Sequence, residues 1–156
     1  MRLTVVLVLL AACGRTADDQ SFAALQARGQ AVMGVDQYTS AHVFEDLPDG
    51  GRIILDRADS ADTAAIGTIR RHMQDIAVAF QAGDFSKPFA VHADTVPGTE
   101  AMTEHKSALR YQVIDRPRGA EVRIRATDST AVRAVHQFLA FQRGDHRVPG
   151  HEGGGS

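Results

Sequence analysis

Ala41-His42-Val43-Phe44-Glu45-Asp46-Leu47-Pro48-Asp49-Gly50-Gly51-Arg52-Ile53-Ile54-Leu55 is the stretch that decides the fold. Residues 39–46 alternate, with Ala41 and Val43 on one side and His42 and Phe44 on the other. That is strand periodicity. Pro48-Asp49-Gly50-Gly51 follows, a run of residues that favour tight turns. A second strand is predicted from Arg52 to Arg57, carrying Ile53, Ile54 and Leu55. Asp59-Ser60-Ala61-Asp62 then offers helix N-caps. Beyond it Ile66, Ile69, Met73, Ile76, Ala77 and Phe80 recur at helical spacing. Gly83 stands where a helix-ending glycine belongs.

The same plan returns further along the chain. Leu109, Tyr111 and Val113 alternate, and Arg116-Pro117-Arg118-Gly119 turns. Val122, Ile124 and Ala126 alternate inward along a segment from Glu121 to Thr127. Asp128 or Ser129 caps a helix bearing Val132, Val135, Phe138, Leu139 and Phe141, which Gly144 is expected to end. Residues 39–83 and 108–144 thus share one unit of strand, turn, strand, cap and helix. Two such units predict an α+β fold, a four-stranded antiparallel sheet with two helices on one face. Strand order does not follow from the pattern. Phe22 to Arg28 suggests a short helix that Gly29 would stop. Asp84 to Gly98 suggests an irregular connection partly packed on the core, and Thr99 to Lys106 a helical turn.

The N-terminus carries a different signal. Met1-Arg2 precedes an apolar run from Leu3 to Leu10, then Ala11-Ala12-Cys13-Gly14. One positive charge, a short apolar run and small residues are the layout of a signal peptide. The run is shorter than the roughly 20 apolar residues of a membrane span. Leu10-Ala11-Ala12-Cys13 resembles the lipobox of bacterial lipoproteins. The resemblance implies cleavage before Cys13, lipid (including palmitate) on that cysteine, and export to the bacterial cell envelope. Gly14, rather than aspartate, leans toward the outer membrane over the inner. More than one acyl chain gives stable anchoring. The expected organisation is a signal peptide over 1–12, a lipidated tether over 13–21, one α+β domain over 22–146, and a flexible glycine-rich tail over 147–156. The segments Arg71-His72-Met73, Val91-His92-Ala93 and Val135-His136-Gln137-Phe138-Leu139 resemble uncharacterised exported bacterial proteins.

Composition narrows the chemistry. Cys13 is the only cysteine, so no disulfide can form within the chain and no thiolate-rich metal centre can be built. The net charge of −2 comes from mixed acids and bases with no basic stretch, which argues against nucleic acid as partner. No P-loop, G-x-S-x-G, H-E-x-x-H or EF-hand loop occurs, so no catalytic residue is nominated and the chain reads as a non-enzyme. Acids such as Asp46, Asp49, Asp59, Asp62, Asp115 and Asp128 fall in turns and caps, where local hydrogen bonding explains them.

Seven histidines are the remaining lead. Imidazole is the commonest protein metal ligand, suited to copper and zinc. No pair has the i, i+4 spacing of a helical site, so ligands would have to converge from several elements. The candidate metal ligands are His72, His92, His136 and His146. On a helical wheel His72 lies roughly 80° from the centre of its apolar stripe, and His136 roughly 130° from its own, which favours solvent for His136. Met73 and Met102 are potential soft ligands for copper(I), with core packing the competing reading for both. His42, His105 and His151 read as packed or surface residues. The resulting expectation is an envelope-anchored lipoprotein that binds copper or zinc through histidines. The alternative is a ligand-free structural or protein-interaction module. Its working surface would be the sheet face left uncovered by helices, with His42 and Phe44, or the row Glu121, Arg123 and Arg125, upon it. An enzyme reading would use His72 or His92 as base with Asp75 or Asp94 beside it, without motif support.

Overall fold

A computed structural model describes residues 17–146. The expectations that fall on 1–16, including lipidation of Cys13, and on the tail at 147–156, including His151, lie outside the described residues. The order of elements is α1 (Ala17–Met33), β1 (Ser40–Leu47), β2 (Gly50–Arg57), α2 (Thr63–Ala82), α3 (Ser86–His92), α4 (Thr99–Glu104), β3 (Leu109–Arg116), β4 (Gly119–Ala126) and α5 (Ser129–Asp145). Among the described residues no helix is long and apolar enough to cross a membrane.

The fold is α+β, with all four strands antiparallel in the order β1-β2-β4-β3. Each hairpin closes through two residues, Pro48-Asp49 and Pro117-Arg118, with Leu47 opposite Gly50 and Arg116 opposite Gly119. The acidic caps act as their positions suggest. Asp62 Oδ1 accepts from the Ala65 amide at 3.0 Å, and Asp128 Oδ1 from the Ala131 amide at 2.8 Å. Each satisfies one of the unpaired amides that open a helix. Gly83 closes α2 at φ 83°, a left-handed conformation that glycine adopts without penalty.

The two long helices exchange partners. α2 packs chiefly on β3 and β4, and α5 on β1 and β2. Each hairpin is therefore covered mainly by the other unit's helix, and neither unit buries its inner strand face alone. Ile69, Met73 and Phe80 of α2 meet Val135, Phe138 and Leu139 of α5 above Leu55, Leu109, Val122 and Ile124. Phe80 and Phe138 touch edge to face, centroids 5.8 Å apart. Full burial of one such side chain contributes roughly 1.5–3 kcal/mol. Gly51 lets α5 descend onto β2. A Cβ there would overlap Leu139 Cδ1 and lie 2.8 Å from the Glu45 carbonyl oxygen.

Three helices extend the pattern. α1 begins inside the expected tether and continues through Gly29, where a short helix ending at that residue was predicted. The helix continues because its far end packs. Leu25 and Met33 are buried, and Gly29 offers so little space that a Cβ would lie 3.2 Å from the Met33 methyl. α3 forms inside the connection read as irregular, and α1 lies along it. α5 likewise passes Gly144 and ends one residue later, with His146 as its cap. Nothing approaches a Cβ at Gly144, and the helix ends with its last turn intact.

Candidate functional site: a histidine-lined pocket

The inner face of β1 is set by its register. His42 stands opposite Leu55, and Phe44 opposite Ile53. Directly paired residues project to the same side of a sheet. Leu55 and Ile53 face the helices, so His42 and Phe44 do too. This corrects the expectation that His42 and Phe44 would lie on the helix-free face. The row Glu121, Arg123 and Arg125 does lie there, alternating with the buried Val122 and Ile124.

Between α2 and α5, above β1 and β2 and beneath α1 and α3, lies a pocket of about 60 Å³. That is roughly the liquid volume of two water molecules. Its polar lining comprises His42, His72, Lys87, His92, Gln142 and His146. The rest of the wall is apolar and includes the thioether side chains Met33 and Met73. Among the described residues no carboxylate lines it.

Four elements deliver the four histidines: β1 His42, α2 His72, α3 His92 and the end of α5 His146. The His42 and His146 rings stack at 5.1 Å between centroids, and His146 meets His92 edge-on at 5.3 Å. Phe44 lies against both His42 and His146, at 5.8 and 5.5 Å. His42 Nε2 is buried and has no hydrogen-bond partner among the described residues.

Burial governs the charge of these rings. It pushes the His42 imidazole down to about 3, with His146 and His72 adding like-charge repulsion. It pushes His72 down to about 4, aided by the Lys87 ammonium and opposed by Asp75. It pushes His146 down to about 4, aided by His92 and opposed by Asp145. All three are neutral at pH 7, so each offers a nitrogen lone pair without first losing a proton.

His92 is held differently. Its Nδ1 pairs with Asp145 Oδ2, and its Nε2 lies 2.9 Å from Gln142 Oε1. Both partners are side-chain oxygens, one on each side of the ring. Both ring nitrogens are then engaged, so His92 lines the pocket without a free donor atom. Its carboxylate is Asp145, not the Asp94 or Asp75 considered from the sequence.

Of the four predicted ligands the fold brings together His72, His92 and His146. His136 stands apart from them. Its Nε2–H donates to the Leu47 carbonyl at 3.0 Å, and it does not line the pocket. The helical wheel already turned it away from the core. Met102 is fully buried in the core and also absent from the lining, whereas Met73 is present. His42 was missed. Its parity with Phe44, the bulkier apolar residue of the strand, was the available signal. Among the described residues no group of three or more His, Cys, Asp and Glu side chains is set to hold an ion. The imidazoles in contact are the pair His42 and His146, and His72 and the thioethers of Met33 and Met73 share the lining with them.

Comparison with family models, with curated proteins and with solved structures finds no match.

Proposed function

We propose that this protein binds one soft, monovalent transition-metal ion, copper(I), in the histidine–methionine pocket, and does so as a lipid-anchored protein of the bacterial cell envelope. The observation that carries the reading is the buried, unpartnered Nε2 of His42, which belongs to a pocket shared with His72 and His146. A buried polar atom without a partner is rare and points to a missing one. Donor chemistry selects the ion. Thioethers favour copper(I), and imidazole accepts copper and zinc alike. Charge selects it further. Among the described residues the pocket lining includes no anionic side chain and does include the Lys87 ammonium. Born solvation cost rises with the square of the charge, so a divalent ion without anionic ligands is far more expensive to bury than a monovalent one. Zinc, the second metal expected from the sequence, is disfavoured on that ground.

The test is titration of the Cys13→Ser chain with copper(I) under reducing conditions, and with zinc(II). One copper(I) per chain is expected, lost in the His42→Ala, His146→Ala double variant, with zinc bound far more weakly. Copper uptake below one equivalent, or uptake unaffected by the double variant, refutes the reading. The anchor has its own test. The native chain should label with palmitate and fractionate with membranes, and Cys13→Ser should release it while leaving the fold intact.

If no ion binds, the interaction-module reading takes over. It would use the helix-free sheet face, where Glu121 sits between Arg52 at 3.8 Å and Arg116 at 4.0 Å.

A further inference from the structure

A second cavity of about 250 Å³ lies on the other side of His92, lined by Ser21, Phe22, Leu25, Arg28, His92, Gly144 and Asp145. It is a cleft between α1 and the end of α5. His92 is the one residue that lines both this cleft and the inner pocket. Its side chain is almost wholly buried, and its two nitrogens face opposite ways. Nδ1 meets Asp145, which lines the outer cleft, and Nε2 meets Gln142, which lines the inner pocket. The imidazole is thus a partition one side chain thick. Asp145, partly exposed, is the only carboxylate lining either cavity among the described residues. Arg28 opposes it in charge and is tied by its Nε to the Val91 carbonyl at 2.6 Å.

We infer that the α1–α5 cleft is the route by which a soft monocation reaches the inner pocket, with Asp145 receiving it from water and the His92 ring acting as the gate. This rests on the binding reading above and adds the path and its control. A cation at the cleft mouth is attracted by Asp145 and repelled by Arg28. As it displaces the His92 Nδ1–H from the carboxylate, the ring is freed to rotate and open the pocket. The step exchanges one partner of Asp145 for another, and no covalent bond is made or broken. Both charges line the cleft rather than the inner pocket, and Asp145 is still felt at His146, so they set rates of uptake and release more than affinity.

Silver(I), added as its nitrate, is a redox-stable soft monocation suited to the test. The Cys13→Ser chain is mixed with it in a stopped-flow instrument, tyrosine emission is followed, and equilibrium dialysis supplies Kd and stoichiometry. Asp145→Asn should slow association on the order of tenfold while weakening Kd by less, so that dissociation slows as well. Arg28→Gln should change association in the opposite direction, speeding it severalfold. His92→Gln, which keeps an amide able to bridge Asp145 and Gln142, should alter both rates again. Opposite signs from the two charge removals, with association moving more than Kd, are not what loosened packing would produce. Silver that binds one per chain with rates unmoved by Asp145→Asn and Arg28→Gln overturns the access route and leaves the binding site standing. So does a Kd that weakens wholly through faster dissociation in Asp145→Asn with association unmoved, which would leave Asp145 a role in the bound state alone. Absence of any stoichiometric silver binding overturns the site itself, and the route with it.

Discussion

Acidification from pH 7.5 to 5 should destabilise this domain more steeply than its carboxylates can explain. The cause is the set of three histidines buried neutral. In the unfolded chain each ring has its ordinary value near 6.5, and in the folded chain His42 is held at about 3, and His72 and His146 at about 4. The folded values are depressed, so between 6.5 and 4 the unfolded chain binds more protons and stability falls as pH falls. At pH 5 an unfolded imidazole is protonated about 30 to 1, which favours unfolding by roughly RT ln 32, about 2 kcal/mol per ring. Protonation of the folded rings offsets almost none of this at pH 5. Three rings sum to about 6 kcal/mol as an upper limit, against a total stability of about 5–15 kcal/mol for a domain of this kind. At pH 6 the same arithmetic gives about 2–3 kcal/mol. The measurement is urea unfolding of the Cys13→Ser chain at pH 7.5, 6 and 5, read by far-UV circular dichroism. This window lies above most carboxylate titration, and the depressed carboxyls of Asp49, Asp84 and Asp128 lose their contribution only at lower pH. His42→Leu should remove about 2 kcal/mol of the drop at pH 5, whatever it does to stability at pH 7.5. A midpoint that stays level between pH 7.5 and 5, or a drop equal in His42→Leu and the parent, would refute the assignment of neutral buried rings.

Three further outcomes test the packing. Gly51→Ala should cost about 1–3 kcal/mol in urea unfolding, because the new Cβ overlaps Leu139 and crowds the Glu45 carbonyl. A loss below about 0.5 kcal/mol would mean that α5 can retreat from β2 at little cost. His136→Ala should lose about 1 kcal/mol with its bond to the Leu47 carbonyl, while copper(I) stoichiometry stays unchanged. A chain cut to residues 17–105 should give no cooperative thermal transition, because α2 would be separated from β3 and β4, the strands it mainly covers. A sharp two-state melt from that fragment would show that the first unit folds alone.

The elements were legible because their signals are local. Alternation along residues 39–46, the turn at 48–51, the caps Asp62 and Asp128 and the stripe from Ile66 to Phe80 each rest on a few neighbouring residues. The elements misread are those whose conformation depends on remote contacts. α1 continues past Gly29 because its far end is buried, and α3 forms under α1 within a segment that shows little periodicity of its own. The candidate site was legible in part. His72 and His92 could be nominated from an edge position and from a connection returning over the core. His42 shares its side with Phe44 in the sequence, and the register with Leu55 shows that side to be the inner one.

By itself the sequence determined that there would be two strand–turn–strand–helix units, where each would begin and turn, and which strand residues would share a side. It also excluded disulfides and thiolate metal centres, since the chain has one cysteine. Only the tertiary structure decided that β2 and β4 pair at the centre, that each helix covers chiefly the other unit's hairpin, and that four histidines from four elements meet in one pocket. The physical reason is range. Periodicity, capping and turn chemistry act over a few residues, whereas strand order and pocket lining follow from which apolar faces bury one another across the whole chain. His42 shows the difference in one side chain: its place on the strand followed from alternation, and its place in the pocket from the helix that settled above it.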